Sequence, residues 1–411
     1  MSVKKFKPCL SLLQHDPYPV YREYRRADPV HRGLPPMPGS DACWYLFRYR
    51  DVEASLKSGI FINERLRAGH TLPCSADLFE HEPLWRVLGK WMLINDPPVH
   101  TRLRSCISRR FTRLAVGALA PLIQQITDQV LDKHVRVGEM DLIRDLATPL
   151  PMAVIAKLLG IHISDPQQFR AWSRAIADAL DMDTSPGSYD RAMSLMTDIV
   201  KQLRNEFEEK RTRPDESLMS SLLDYTDENS VIDEDELLSL CTLLMFAGQE
   251  TTIDAIGNSV LALLQNPLQQ KRLRDDPELI PNAIEELLRY NSPLQMSIIR
   301  VAAKDVKLGG KLIRRGDSIT AVLGAANRDP EQFVNPDQLE ITRNFAGRNV
   351  IFGQGIHNCP GAFLARLELQ IVLATLLRRT RSIALTSDRL HWRDNIAFRG
   401  LTQLPVSFRA A

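Results

Sequence analysis

Cys359 lies in a run whose residue types suit close contact with something flat: Phe352-Gly353-Gln354-Gly355-Ile356-His357-Asn358-Cys359-Pro360-Gly361. Gly353 and Gly355 permit backbone angles and approaches that a side chain would forbid. Pro360 fits the first turn of a helix, and Ala362 to Leu367 continue with good helix formers, so the sulfur sits at a helix N-terminus. Unpaired N–H groups and the helix dipole favour a thiolate there, which is the form that ligates metals. Zinc and iron-sulfur sites need several N or S ligands at short spacing, and no second cysteine is near. A haem iron needs one such ligand, and a buried structural cysteine is the plain alternative.

Other residues of chemical interest are spread along the chain. His100 and Arg104 follow Asp96-Pro97-Pro98 and share a helix face as a cationic pair. Ala247-Gly248-Gln249-Glu250-Thr251-Thr252 places an acid and two hydroxyls inside an otherwise apolar helix, where they are costly without partners. Glu286 and Arg289 share another helix face, with Arg300 and Arg343 downstream. Taken singly, such charged pairs are most often solvated helix faces.

In order and spacing these residues resemble a known family. Phe352-Gly353-x-Gly355-x-His357-x-Cys359-x-Gly361, followed by Ala365-Arg366, is similar to the haem-binding loop of the cytochrome P-450 monooxygenases, and the resemblance extends over essentially the whole chain as one domain, 1–411. It implies the soluble bacterial type of the fold: mainly α with a small β region, a long central helix and the cysteine loop enclosing haem. Cys359 is then the iron ligand of haem b. His100, Arg104 and Arg300 meet the propionates, and Ala247, Gly248, Phe352, His357 and Gly361 complete the cofactor site. Glu286, Arg289 and Arg343 lock the core structurally.

Thiolate ligation favours O–O cleavage over reversible O₂ binding, so the resemblance implies oxygen activation. Glu250 and Thr251 are the expected acid and hydroxyl of proton delivery, Thr252 the adjacent competitor, and Gly248 leaves room beside them. The implied substrate is a small, largely apolar organic molecule, such as a secondary metabolite, lipid or xenobiotic. Its pocket would draw on Met245, Phe246, Ala247, Leu294, Met296, Ile298 and Phe398, with Arg65, Arg67 and His70 as polar contacts. A peroxide-using peroxygenase and a non-catalytic haem sensor or carrier are the alternatives. No flavin or ferredoxin segment is recognisable, so electrons are expected from a ferredoxin- or flavodoxin-type donor with its reductase, docking on a basic face made by Arg102, Arg109, Arg110, Arg113, Arg378, Arg379 and Arg381.

The background agrees. With 44% hydrophobic and 25% charged residues this is an ordinary globular composition, and a net charge of +2 gives no global pointer to nucleic acid. Six scattered cysteines read as reduced thiols, no apolar run is long enough to span a bilayer, and a cytoplasmic location is expected. Residues 29–32 and 43–47 read as strands, 49–58 as a helix, and 60–89 as a long lid-like loop. Residues 141–160 read as one apolar helix stopped by Gly160, 165–180 and 189–211 as two helices joined by a hinge, and 233–265 as the longest helix, capped by Asp233 and Glu236. Short strands are expected over 300–323.

Overall fold

The long helix starts where its sequence says it should. Asp233 accepts a hydrogen bond from the Glu236 N–H at 2.7 Å while the Asp233 N–H donates to Glu236 Oε2 at 3.0 Å, a closed capping box. The helix runs Glu234–Gln265 and stops at Asn266, before Pro267. These observations come from a computed structural model that describes residues 3–13, 15–36, 41–63, 83–108, 111–163, 165–181, 186–227, 232–344 and 349–410. The architecture is mainly α with a small β region.

The central helix joins two cores. Leu237 to Phe246 pack with Phe169, Trp172, Met196, Phe207 and Leu222, whereas Ile253 to Leu263 pack with Leu150, Leu287, Leu369 and Leu373. A fully buried side chain of this size contributes roughly 1.5–3 kcal/mol, so both ends of the helix are strongly held. Residues 247–252 fall at the seam between the cores. Helices Pro149–Leu159, Pro166–Ala179, Ile280–Tyr290 and Ala362–Arg379 all pack on the central helix.

The main sheet has five strands in the order Val30–Arg32, Cys43–Leu46, Ser318–Ala321, Arg300–Ala302, Phe61–Ile62. Cys43–Leu46 runs parallel to Ser318–Ala321, and the other pairings are antiparallel. A second sheet joins Glu139–Asp141, Pro405–Ala410 and Thr380–Leu385, and Val306–Leu308 forms a separate hairpin with Lys311–Ile313. The strands expected at 29–32, 43–47 and over 300–323 are therefore present, the first two as Val30–Arg32 and Cys43–Leu46.

Two expectations fail. The single helix over 141–160 is broken: Asp141 belongs to a strand paired with Pro405, Ile143–Ala147 forms a π turn, and a new helix runs Pro149–Leu159. Pro149 has no N–H to continue a helical ladder, and the Thr148 N–H reaches five residues back to the Ile143 carbonyl at 2.9 Å. The stretch 60–89 is not all loop either, since it contains the strand Phe61–Ile62 and the helix Pro83–Leu88, whose Leu84, Val87 and Leu88 sit in the first core. Residues 64–82 of the expected lid, with Arg65, Arg67 and His70, and residues 182–185 of the expected hinge over 182–188 lie outside the described residues, while 186–188 already belong to the helix Pro186–Thr212.

Candidate active site

Around Cys359 the loop is held from both sides. Gly353 and Gly355 have φ of +67° and +72°, and a Cβ on Gly355 would stand 2.7 Å from the Leu56 carbonyl oxygen. The Cys359 N–H donates to the Phe352 carbonyl at 2.8 Å. Arg366 lies over the Phe352 ring at 4.2 Å and pairs with Glu285, which also accepts from Asn349 at 2.7 Å. The Gly361 and Ala362 N–H groups interact favourably with the sulfur, as its place at a helix start implies. Burial outweighs them and the nearby Arg104 and Arg366 charges, so in the protein alone the thiol pKa is raised.

On the adjoining wall the polar groups are short of partners. His100 is buried with its Nδ1 unsatisfied, and its ring lies 4.3 Å from that of His357. Burial, the neighbouring His357 and Arg104 push the His100 pKa down to about 4. Arg300 is buried with Nε unsatisfied, its Nη1 reaching only the Ser55 and Leu56 carbonyls at 3.3 and 3.4 Å. His357 lies 2.9 Å from Asn63 Nδ2 and 3.8 Å from Asp96. The two buried polar atoms without partners, His100 Nδ1 and Arg300 Nε, the second on a guanidinium, fit a group that brings its own anions. A cysteine cradled beside them fits haem with its iron and propionates.

The central helix contributes one accessible patch. Between residues 236 and 263 every residue is buried except Ala247, Gly248 and Thr251, which lie on one face. Thr251 Oγ1 donates to the Ala247 carbonyl at 2.8 Å, whereas Thr252 is turned into the core. Gly248 has a packing reason as well: a Cβ there would meet Ile155 Cδ1 at 2.9 Å.

Glu250 is 2% exposed and does not share the open face with Thr251; it is ion-paired with Arg393, which also pairs with Asp254 one helical turn on. Neither Arg393 nor Asp254 was expected from sequence. Asp254 carried the weak signal of standing four residues after Glu250, and Arg393 carried none.

The expected substrate pocket is partly assembled. Met245 and Phe246 line a cavity with Phe169, Trp172, Ser173, Ile176, Ile199 and Thr242. The Phe246 ring is perpendicular to Phe398 at 5.7 Å and stacked on Trp91 at 5.5 Å, while Leu294 bridges to Phe398. Ile298 is half-buried. Met296 is not brought to this group; it packs with Phe6, Tyr21, Tyr45 and Phe47. The structural lock is assembled: Glu286 takes Arg289 Nε at 2.7 Å and Arg343 Nε at 3.0 Å.

Comparison with known proteins agrees with this geometry. The family model for cytochrome P450 matches residues 81–389. The chain is 40% identical to cytochrome P450 107B1 of Saccharopolyspora erythraea, over 96% of this chain and 94% of the relative, and 38% identical to the vitamin D(3) 25-hydroxylase of Pseudonocardia autotrophica, over 95% and 94%. Among solved structures, P450BioI bound to a hexadec-9Z-enoic acid ligated acyl carrier protein superposes with a TM-score of 0.88 at 35% identity, covering 96% of this chain and 98% of that one. With its cysteine loop, its wall of unsatisfied buried polar groups and these relatives, the chain belongs to the cytochrome P450 family and is a haem monooxygenase.

Proposed function

We propose that this monooxygenase holds noncovalent haem b through Cys359, with His100, Arg104 and Arg300 on the propionates and Ala247, Gly248, Phe352, His357 and Gly361 around the ring, and oxidises a small, largely apolar organic molecule. When bound, that group supplies the reductive activation of O₂ to which thiolate ligation is suited. The protein's part is to orient the substrate against Phe246, Phe398 and Leu294, to exclude bulk water, and to move protons through Glu250 and Thr251. The observation that carries this reading is the open face of Ala247, Gly248 and Thr251 in a helix otherwise buried on all sides. The Thr251 hydroxyl is the one hydroxyl on that face. Relatives named for vitamin D(3) hydroxylation, polyketide biosynthesis and biotin biosynthesis support an apolar substrate.

Electrons come from a separate ferredoxin- or flavodoxin-type donor with its reductase. Support for docking on the cysteine side is an exposed spot where Arg113 lies over Phe363 at 5.6 Å beside the exposed Leu114. Arg102 and Arg379 are less suited, being paired with Glu236 and with Asp128 and Asp132; Arg109 and Arg110 lie outside the described residues. Among the described residues no helix is long and apolar enough to cross a membrane.

The test measures product, hydrogen peroxide and reductant consumption together. Thr251→Ala keeps substrate affinity and the absorbance of the reduced carbon monoxide complex but diverts reductant to peroxide, whereas Thr252→Ala stays coupled. Full coupling in Thr251→Ala overturns the role given to this face.

A further inference from the structure

Two buried carboxylates share one guanidinium behind the open face. Arg393 donates from Nη1 to Glu250 Oε2 and from Nη2 to Asp254 Oδ2, with side-chain exposures of 9%, 2% and 0%. Among the described residues Asp254 Oδ1 has no hydrogen-bond partner. The backbone pins this arrangement: the Arg393 N–H donates to the Gly400 carbonyl at 2.8 Å, and Gly400 lies so near Asp254 that a Cβ would be 1.7 Å from Oδ1. On its third side Arg393 is looser. Its Nε is unsatisfied and the residue borders a cavity also lined by Tyr21 and Gln295.

Among the three side chains in direct contact, Arg393, Glu250 and Asp254, the charges do not balance if both acids are ionised. One cation facing two anions leaves a net buried negative charge, which is costly in a low-dielectric interior unless one acid keeps its proton. Asp254 is the acid suited to keep it, on the partnerless Oδ1. Burial and then Glu250 raise its pKa to about 7 against the opposing effect of Arg393. For Arg393, burial would favour losing the proton, but the Asp254 and Glu250 carboxylates outweigh it and the guanidinium stays charged. The other charged groups acting on this cluster are Arg170, Arg174 and Asp178 from the helix Pro166–Ala179, Arg191 from Pro186–Thr212, and, on Arg170, Asp141. Arg174 and Asp178 are 42% and 30% exposed and 3.9 Å apart, so the cluster reaches solvent on that side.

We propose that Arg393 is the positioning residue of the Glu250 acid, a two-armed clamp in which Asp254 competes with Glu250 for the same guanidinium. This rests on the proton-delivery reading of Glu250 and Thr251. While Asp254 is neutral, the Arg393 charge serves Glu250 and holds its carboxyl on the buried side. When Asp254 releases its proton toward Asp178 and solvent, the guanidinium is shared between two anions and Glu250 is freed to turn toward the Thr251 face. The clamp thereby ties proton delivery to a titration in the neutral range.

Two measurements on the holoenzyme test this. In the first, infrared difference spectra between pH 6 and 8 follow the protonated-carboxyl stretch. A band that titrates near neutrality in wild type and is missing in Asp254→Asn is expected, and a wild-type band unchanged by that substitution overturns the proposal. In the second, the ratio of product to reductant consumed is followed across the same pH range. Wild type should show an inflection that Asp254→Asn lacks. Arg393→Met should lower the ratio about tenfold, below the roughly 100- to 10,000-fold attributed to a general acid itself. Arg393→Lys should recover part of that loss, which also covers failure of the Met variant to fold. A wild-type ratio and pH profile in the Arg393 variants overturns the clamp. Loss of coupling in Thr251→Ala without any effect of Arg393→Lys or Arg393→Met refutes the clamp alone; full coupling in both Thr251→Ala and Glu250→Gln refutes the delivery reading, and the infrared result then decides the Asp254 assignment by itself.

Discussion

Replacing Glu286 by Gln tests how the cysteine loop's supporting core is held. Glu286 is completely buried and accepts from Arg289 Nε at 2.7 Å, Arg289 Nη2 at 2.9 Å, Arg343 Nε at 3.0 Å and the Glu340 N–H at 2.8 Å. Gln keeps the shape and one acceptor but removes the charge, leaving the equally buried Arg289 cation without its counter-ion. Breaking one side of a buried pair costs about 3–5 kcal/mol. Arg289 still donates to the Asn327 and Pro336 carbonyls, both at 2.8 Å, so the low end, about 3 kcal/mol, is expected. That is a large share of the roughly 5–15 kcal/mol by which a native protein is stable. The assay is denaturant unfolding of the holoprotein followed by both tryptophan emission and haem absorbance. Two comparisons sharpen it. Glu286→Gln with Arg289→Met removes both charges and should cost less than the sum of the single changes, and Glu285→Gln, whose partner Arg366 is 38% exposed, should cost no more than about 1 kcal/mol. A loss below about 1 kcal/mol in Glu286→Gln, or full additivity in the double variant, refutes the view that a buried charge pair holds this core.

Gly400→Ala places a Cβ 1.7 Å from Asp254 Oδ1 and should destabilise by about 1–3 kcal/mol; adding Asp254→Ala should then cost less than it does in wild type, as thermal midpoints of the four proteins will show. Asp254 also predicts a pH dependence of stability. Its folded pKa of about 7 lies above the ordinary 3.8, so between about pH 4 and 7 the folded state holds a proton that the unfolded state has lost, and wild type loses stability relative to Asp254→Asn as pH rises through that window. The ceiling is about 4 kcal/mol, and a stability difference independent of pH counts against it. Charge reversal in Arg113→Glu should slow reduction by the donor several-fold at low salt and flatten its salt dependence, measured by stopped-flow; unchanged rates place the docking surface elsewhere.

What was legible in the sequence was local. The capping box at Asp233 and Glu236 and the Glu286–Arg289 pair each depend on residues one turn apart, which the helical period puts together whatever the tertiary fold. The cysteine loop was legible because its special backbone needs special residues. Arg393 was not, because it stands 143 residues from Glu250 and nothing near either marks the pairing. Met296 was placed in the pocket by the family resemblance, whereas here it packs with Phe6 and Tyr21. The break at Ile143–Ala147 was signalled by Thr148-Pro149-Leu150-Pro151, yet the apolar periodicity on both sides hid it. Glu250 and Thr251 were read as neighbours in function; successive helix residues point in different directions, and the structure shows one buried on Arg393 and the other on the open face.

The parallel pairing of Cys43–Leu46 with Ser318–Ala321 has a consequence for how the chain is made. Arg25 donates to the Ala325 carbonyl at 2.8 Å across 300 residues, and Phe6, Tyr21, Tyr45 and Phe47 pack with Met296, Val322 and Ala325. During synthesis at roughly 5–20 residues per second, this aromatic N-terminal segment leaves the ribosome about 15–60 s before the residues that cover it. Although its rings can pack on one another, its free strand edge and the faces that Met296, Val322 and Ala325 cover must stay open for that whole interval. Slowing translation between the two halves therefore lengthens the exposure of an aggregation-prone surface, and the yield of folded protein should depend on chaperones that hold the N-terminal segment.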